Sequence, residues 1–481
     1  MQSNTHHLKS ISSSTVLYSA PQILGLLGSL VLIPIFTRYL SPEDFGLLAL
    51  LLSITGIGVS FSSLKMESAM YRYNTEYEGS SRKDFLATIF FTKIFLAVII
   101  SCLFLSLIML GLSLGFELEK IPFNPYIPSI AILIFLISCS GFQLALFIAE
   151  EKPTEHVTIM IFSFFITNFL ALFFVVYLGQ DVWGRIKAML ITETIIFLLM
   201  LAITLKAINF SFKMEYIKRS LRFSLPLYMG DLVNLIYQYT DRFVLAFYVD
   251  ISKIGFLYIS DRIAILIQSL FRGFEKTINP FIFNQKNKEA QKSALENIFI
   301  LTVSVSCLIL FLYLNLSEVF LKEFIGPEYN DISVIHAIKV LGIAYFLTTV
   351  YPFFSIALGI EEKTSRIFKI TFISALLNLS LNLTLIPMYG WLAATFSTLI
   401  SCVFTCVGLG YFSRKETHIT FNYNLAITLL MITVATYFLL NNLFNEYSLL
   451  YVALKTAVGT SFLLFMMFKI FYLMTYIKNI K

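Results

Sequence analysis

Runs of roughly twenty apolar residues alternate with short polar breaks along nearly the whole chain, and at about 1.5 Å per residue such a run spans the ~30 Å hydrocarbon core of a bilayer as a helix. The pattern predicts an all-α polytopic membrane protein of about fourteen transmembrane helices. The first lies near 15–37, the last near 448–472, and the loops between are too short to house a catalytic domain.

Two helices break the apolar pattern. Over 223–248 the residues Ser224, Tyr228, Asp231, Asn234, Gln238, Asp241 and Arg242 recur at steps that place them on one helical face, and over 254–280 Asp261, Gln268, Arg272, Glu275 and Asn279 do the same, with Arg262 beside them. Counted from Arg222, Asp231 falls roughly 13 Å into its helix, near the bilayer midplane. A mid-membrane Asp or Arg costs roughly 2.5–3.5 kcal/mol, so several of them facing lipid would cost on the order of 10 kcal/mol. These side chains therefore face protein or water. They either pair and fasten helices together or line a hydrated cavity for a polar or ionic cargo, and the cavity is the favoured reading because intramembrane ionisable groups usually mark a pathway. Lys93 and Glu193 lie deep in other spans and join the candidate lining, with a phosphate-bearing cargo as the match for Lys93, Arg242, Arg262 and Arg272. Lys339 and Lys455, nearer a membrane surface, are expected to snorkel.

Composition narrows the class. Of 481 residues 58% are hydrophobic and only 13% charged, which excludes a soluble globular protein. The net charge of +6 is spread over loops, with most Lys and Arg on the N-terminus and every second loop. By the positive-inside rule that face is cytoplasmic, as are both termini. Scattered bases without a basic stripe or interleaved aromatics exclude nucleic acid as a partner. The five cysteines sit in apolar runs and the five histidines at dispersed segment ends, so no metal site is expected. No G-x-x-x-x-G-K-[ST] run occurs, and no catalytic constellation stands out, so the chain reads as a non-enzyme.

The chain also repeats itself. Tyr39-Leu40-Ser41-Pro42-Glu43-Asp44-Phe45-Gly46 returns as Tyr248-Val249-Asp250-Ile251-Ser252-Lys253-Ile254-Gly255, Glu150-Glu151-Lys152 returns as Glu361-Glu362-Lys363, and Gly179 returns as Gly390. Similar spacing in the same order points to a duplication. An even number of spans between matching points gives both copies one orientation, with a pseudo-two-fold axis along the membrane normal. The expected layout is a cytoplasmic N-terminus (1–14), an N-lobe of six helices (15–206), a cytoplasmic linker (207–222), a C-lobe of six helices (223–412), and a final helix pair with the C-terminus (413–481).

The stretches Pro34-Ile35-Phe36-Thr37-Arg38-Tyr39-Leu40-Ser41-Pro42-Glu43-Asp44-Phe45-Gly46-Leu47 and Thr240-Asp241-Arg242-Phe243-Val244-Leu245 resemble the Wzx-type polysaccharide-biosynthesis flippases. These belong to the superfamily that also holds the multidrug and toxin extrusion (MATE) proteins and the lipid II flippase. The resemblance implies a MATE-like fold in the bacterial inner membrane and a flippase that carries undecaprenyl-pyrophosphate-linked oligosaccharide repeat units to the periplasmic leaflet by alternating access, for O-antigen, capsule or exopolysaccharide synthesis. It implies charges in the cavity at Asp231, Arg242, Asp261, Arg262 and Arg272, with a glycan polymerase and other assembly proteins as neighbours; no cofactor is expected, and Asp231 and Asp261 could take up a proton or sodium ion during transport. The competing readings are a gradient-driven exporter of drugs or metabolites and a membrane glycan polymerase, the latter disfavoured by short outer loops.

Overall fold

The computed structural model describes residues 21, 24–25, 27–114, 120–283, 285, 287–417, 419, 421–443 and 449–480, without the side chains of 272–277, 279–281, 283, 449 and 470–480. Helix starts follow local chemistry. A short apolar helix α1 (Leu27–Phe36) leads into Ser41, whose side chain accepts from the Asp44 N–H while the Asp44 carboxylate accepts from the Ser41 N–H. This capping box, with Pro42 preset for a first helical turn, opens α2 (Pro42–Ser63). The short α3 (Met66–Tyr73) follows, then α4 (Gly79–Ser113), α5 (Tyr126–Ala149), α6 (Pro153–Leu172) with a π-helical extension through Tyr177, α7 (Asp181–Ala207) and α8 (Met214–Tyr248). Next come α9 (Ile251–Phe283), α10 (Lys288–Phe324), α11 (Ile332–Ile360), α12 (Thr364–Tyr389), α13 (Leu392–Glu416), α14 (Tyr423–Leu443) and α15 (Leu449–Ile480). No strand occurs among the described residues.

Twelve of these helices are long and apolar enough to cross a membrane. Two of the fourteen expected spans fall outside that set: the first run is described without a break only over Leu27–Phe36, and α8 has the length but not the hydropathy. The same polar row that singles out α8 in the sequence dilutes its apolar character. α8 also starts at Met214, because Tyr216 and Ile217 are buried and Tyr216 packs on Tyr77 and Phe85, with ring centroids 5.0 and 5.6 Å apart.

The chain forms two compact units, Met1–Gly255 and Phe256–Lys481, so the division falls in the first turns of α9. In the first unit α5 packs against α2, α3, α4, α6 and α7, and α8 against α2, α3 and α4. Its interior at α3–α5 is built on Met66, Met70, Phe85, Phe90 and Phe142. In the second unit α11 lies against α10, α12 and α13, and α10 against α14 and α15. Phe299, Phe353, Phe354 and Phe421 stack at its centre.

The repeated strings share their local backbone. Glu151 and Glu362 both take positive φ, +54° and +58°, and the next residue's N–H closes the same turn, Lys152 to Phe147 O and Lys363 to Leu358 O, each at 2.8 Å. Gly179 and Gly390 also match, at φ +62° and +72°. Most telling is a reciprocal contact within the first unit. A Cβ on Gly46 would fall 1.9 Å from the Ile251 carbonyl oxygen, and one on Gly255 would fall 1.8 Å from that of Pro42. The first turns of α2 and α9 cross so closely that only glycine fits at either position.

Candidate functional site

α2 stops at Ser63, and the next two residues, Leu64 and Lys65, both take left-handed backbone at φ 43° and 55° before α3 resumes. That conformation costs a non-glycine residue about 1–2 kcal/mol. Contacts on both sides hold the break. Ser63 Oγ donates to Glu67 Oε2 at 2.6 Å, and Lys93 Nζ of α4 donates to Glu67 Oε1. Lys93 is 1% exposed and fills the space beside Gly141 of α5, where a Cβ would sit 3.8 Å from its ammonium. Lys65 Nζ reaches the other way, to Asp231 Oδ1 of α8, at 2.6 Å.

These two ion pairs differ in access. Lys65 and Asp231 are 32% and 36% exposed, whereas Lys93 is enclosed. Enclosure makes Lys93–Glu67 a fastening: removing one partner of a buried pair leaves an uncompensated charge. The open pair leaves room beside its ammonium and carboxylate for another ion. Asp231 sits at the midpoint of α8, and on the same helix Tyr228 is buried with its ring edge-on to Phe61, while Asn234 and Gln238 are exposed. Arg242 is turned onto its own helix: its Nη1 donates to the Gln238 carbonyl at 2.6 Å and its N–H to Asp241 Oδ1 at 2.7 Å. Glu193 of α7 is half-buried, and no ion pair reaches it among the described residues.

The second unit holds its polar row differently. Asp261 accepts from the Tyr345 hydroxyl, Gln268 Nε2 donates to Thr348 Oγ1 at 3.0 Å, and the Arg262 guanidinium lies 4.8 Å from the Tyr258 ring centroid. The side chain of Arg272 lies outside the described residues. Lys339 and Lys455 do not snorkel: Lys339 bonds Glu318 at 2.9 Å, and Lys455, 5% exposed, bonds Asn441 Oδ1 at 3.2 Å. Among the described residues no cluster of three His, Cys, Asp or Glu converges.

The polar rows of the sequence single out neither Lys65 nor Glu67. The Ser63-to-Glu67 spacing, four residues apart across a polar string, is the signal that links them. The turn at Leu64–Lys65 carries none of the glycine or asparagine that usually marks left-handed backbone.

A bundle of long apolar helices with ion pairs inside is the build of an integral membrane protein. The fold matches that of the lipid II flippase MurJ in an inward closed conformation, with TM-score 0.72 and 18% identity over 97% of this chain and 100% of that one. It also matches an inward-facing multidrug resistance MATE family transporter of the MOP superfamily, with TM-score 0.63 and 14% identity over 84% of this chain and 98% of that one. No curated protein sequence matches. The model of the polysaccharide biosynthesis protein family matches residues 8–284, more than half of the chain, and the chain belongs to that family.

Proposed function

We propose that the protein flips a polyprenyl-pyrophosphate-linked oligosaccharide, an undecaprenyl-linked repeat unit, from the cytoplasmic to the periplasmic leaflet of the bacterial inner membrane by alternating access. The observation that carries the reading is the Lys65–Asp231 pair: an ammonium at the α2–α3 break and a carboxylate midway along α8, each about one-third exposed. A pyrophosphate is a stronger acceptor than one carboxylate, so it exchanges for Asp231 on Lys65 through charge-assisted hydrogen bonds. The exposed amides of Asn234 and Gln238 extend the polar face toward sugar hydroxyls, while the prenyl chain stays in lipid. Family membership and the MurJ-like fold support this reading. On this proposal Arg242, Asp261, Arg262, Gln268, Arg272 and Glu193 belong to the same transport machinery, both termini face the cytoplasm, and a glycan polymerase receives the product.

The test is leaflet accessibility of an undecaprenyl-pyrophosphate oligosaccharide in proteoliposomes, for wild type, Lys65→Ala and Asp231→Ala. Wild type is expected to expose inner-leaflet sugar to an external lectin, and both variants to lose most of that exposure. If wild type exposes no sugar but expels a cationic dye down a proton gradient, the reading falls to a gradient-driven exporter.

A further inference from the structure

The second unit contains a cleft that the proposed transport does not use. α13 packs on α11 and α12, α14 packs on α10 and α15, and a cavity of about 370 Å³ is lined by α10, α11, α13 and α14. Its wall is apolar, with Phe299 and Val303 of α10, Phe346 and Val350 of α11, Cys406 of α13 and Leu430 of α14. A cavity lined in this way offers water few partners and stays dry. Val407, Tyr411 and Ile427 belong to the lining and are 65%, 58% and 60% exposed, so the cleft opens sideways onto the outer surface of the helices. In an integral membrane protein that surface meets lipid, and what enters from that side is hydrocarbon.

One end of the cleft is charged. Arg414, in the last turn of α13, lines it and is exposed, and no ion pair reaches its guanidinium among the described residues. The carboxylate of the same turn, Glu416, is held by Arg366 Nε at 2.8 Å. Lys415 lies 5.8 Å from the Tyr411 ring centroid and adds a second positive charge beside the cleft. α14 begins at this end with Tyr423, whose hydroxyl donates to the Gly410 carbonyl of α13 at 3.2 Å, and a helix start carries partial positive charge. A cation in a last helical turn also complements its own helix dipole, which accounts for Lys415 but does not place Arg414 over an apolar cleft. Cys406, eight residues before Arg414 on α13, lies about 12 Å deeper along the helix. The cleft therefore runs from the end of a membrane helix, where head groups lie, into the depth of acyl chains.

We infer that this cleft binds one anionic diacyl phospholipid of the surrounding bilayer. Its phosphate takes the two-pronged hydrogen bond that a guanidinium offers, on Arg414, as anionic head groups do in basic pockets between membrane helices. One acyl chain fills the cleft down to Cys406 and Leu430, and the other stays in the bilayer against Val407 and Ile427. A zwitterionic head group brings an ammonium as well, and Glu416 is already taken by Arg366. The site lies wholly within the second unit and holds whether or not the chain flips a glycan lipid. A ligand that binds only the folded chain stabilises it, so the lipid raises resistance to unfolding.

The experiment uses delipidated full-length protein in detergent, with bound lipid read by native mass spectrometry and stability by thermal unfolding. The probes are phosphatidylglycerol, phosphatidylcholine with the same chains, glycerol phosphate and undecaprenyl phosphate. Wild type is expected to retain phosphatidylglycerol severalfold better than phosphatidylcholine and to unfold at a higher temperature with it. Glycerol phosphate, a head group without chains, should shift nothing. Arg414→Gln should reduce phosphatidylglycerol to the level of phosphatidylcholine, whereas Lys415→Gln, the same charge change outside the lining, should keep most of the preference. Ala426→Phe, which fills the cleft from α14, should lose both lipids. Arg414→Gln stands at an exposed position and keeps the test decisive if Ala426→Phe folds poorly. A preference that survives Arg414→Gln, or lipid retained by a folded Ala426→Phe, overturns the site. So does displacement of phosphatidylglycerol by undecaprenyl phosphate at equal concentration, which gives the cleft to a prenyl chain instead.

Discussion

The polar rows of α8 and α9 look alike in sequence, yet the structure treats them differently. In the first unit charge meets charge: Asp231 pairs with Lys65, and Glu67 pairs with Lys93. In the second unit Asp261 is held by a tyrosine hydroxyl and Gln268 by a threonine. An ion pair can exchange one ion for another, whereas a hydroxyl that donates to a carboxylate mainly fixes its position. On the proposed function the Lys65–Asp231 pair handles the anion, while the Tyr345 and Thr348 contacts position polar groups of α9.

The strongest way to break the comparison is to strip the enclosed pair. Lys93→Met takes the ammonium from Glu67, whose side chain is 23% exposed, so the loss should approach but not reach the about 3–5 kcal/mol of a fully buried pair. The variant is expected to show a large drop in thermal stability in detergent, and Lys93→Met/Glu67→Gln is expected to recover most of it. If the single variant unfolds like wild type, the pair is not a fastening. Lys65→Ala sharpens the contrast from the other side: an exposed pair contributes about 0–1 kcal/mol, so stability should hold while flipping collapses. In the second unit Tyr345→Phe removes one hydroxyl donor to Asp261, with an expected loss near 1 kcal/mol and flipping reduced rather than abolished.

The smallest expected effect concerns acid. At the end of α11 the Lys292 hydrogen bond, opposed by burial and reinforced by Lys288, holds Glu361 below the usual carboxylate range. A depressed folded-state pKa contributes stability that is present above the ordinary carboxylate value and is lost as pH falls through the folded one. Wild type should therefore be slightly more stable than Glu361→Gln near neutrality, and the difference should vanish in acid. A gap that persists or widens at low pH would show that the charge is not its source.

Much of this was legible before the structure. Apolar run length gave nearly all of the spans, and the polar periodicity of α8 marked the helix that fails to look like a membrane span. The repeat strings pointed to the matched turns at Glu151 and Glu362, while the crossing of Gly46 with Gly255 emerged only in the structure. What stayed hidden was pairing across long sequence separations. Periodicity shows which residues share a face but not which helix lies opposite, so neither Lys65 nor Glu67 stands out in the sequence. Arg242 reads as a cavity cation by position, yet its side chain bonds its own helix. The bias of lysine toward snorkelling misplaced Lys339 and Lys455, because Glu318 and Asn441 come from other helices.

The central claim is that the open Lys65–Asp231 pair reads phosphate on a lipid-linked glycan. Its most direct test compares flipping of a polyprenyl-pyrophosphate oligosaccharide with that of a polyprenyl glycoside of the same sugar without phosphate, for wild type and Lys65→Ala. The account predicts that wild type moves the phosphorylated lipid severalfold faster and that Lys65→Ala erases the preference. Equal rates in wild type, or a preference that survives the loss of Lys65, would contradict it.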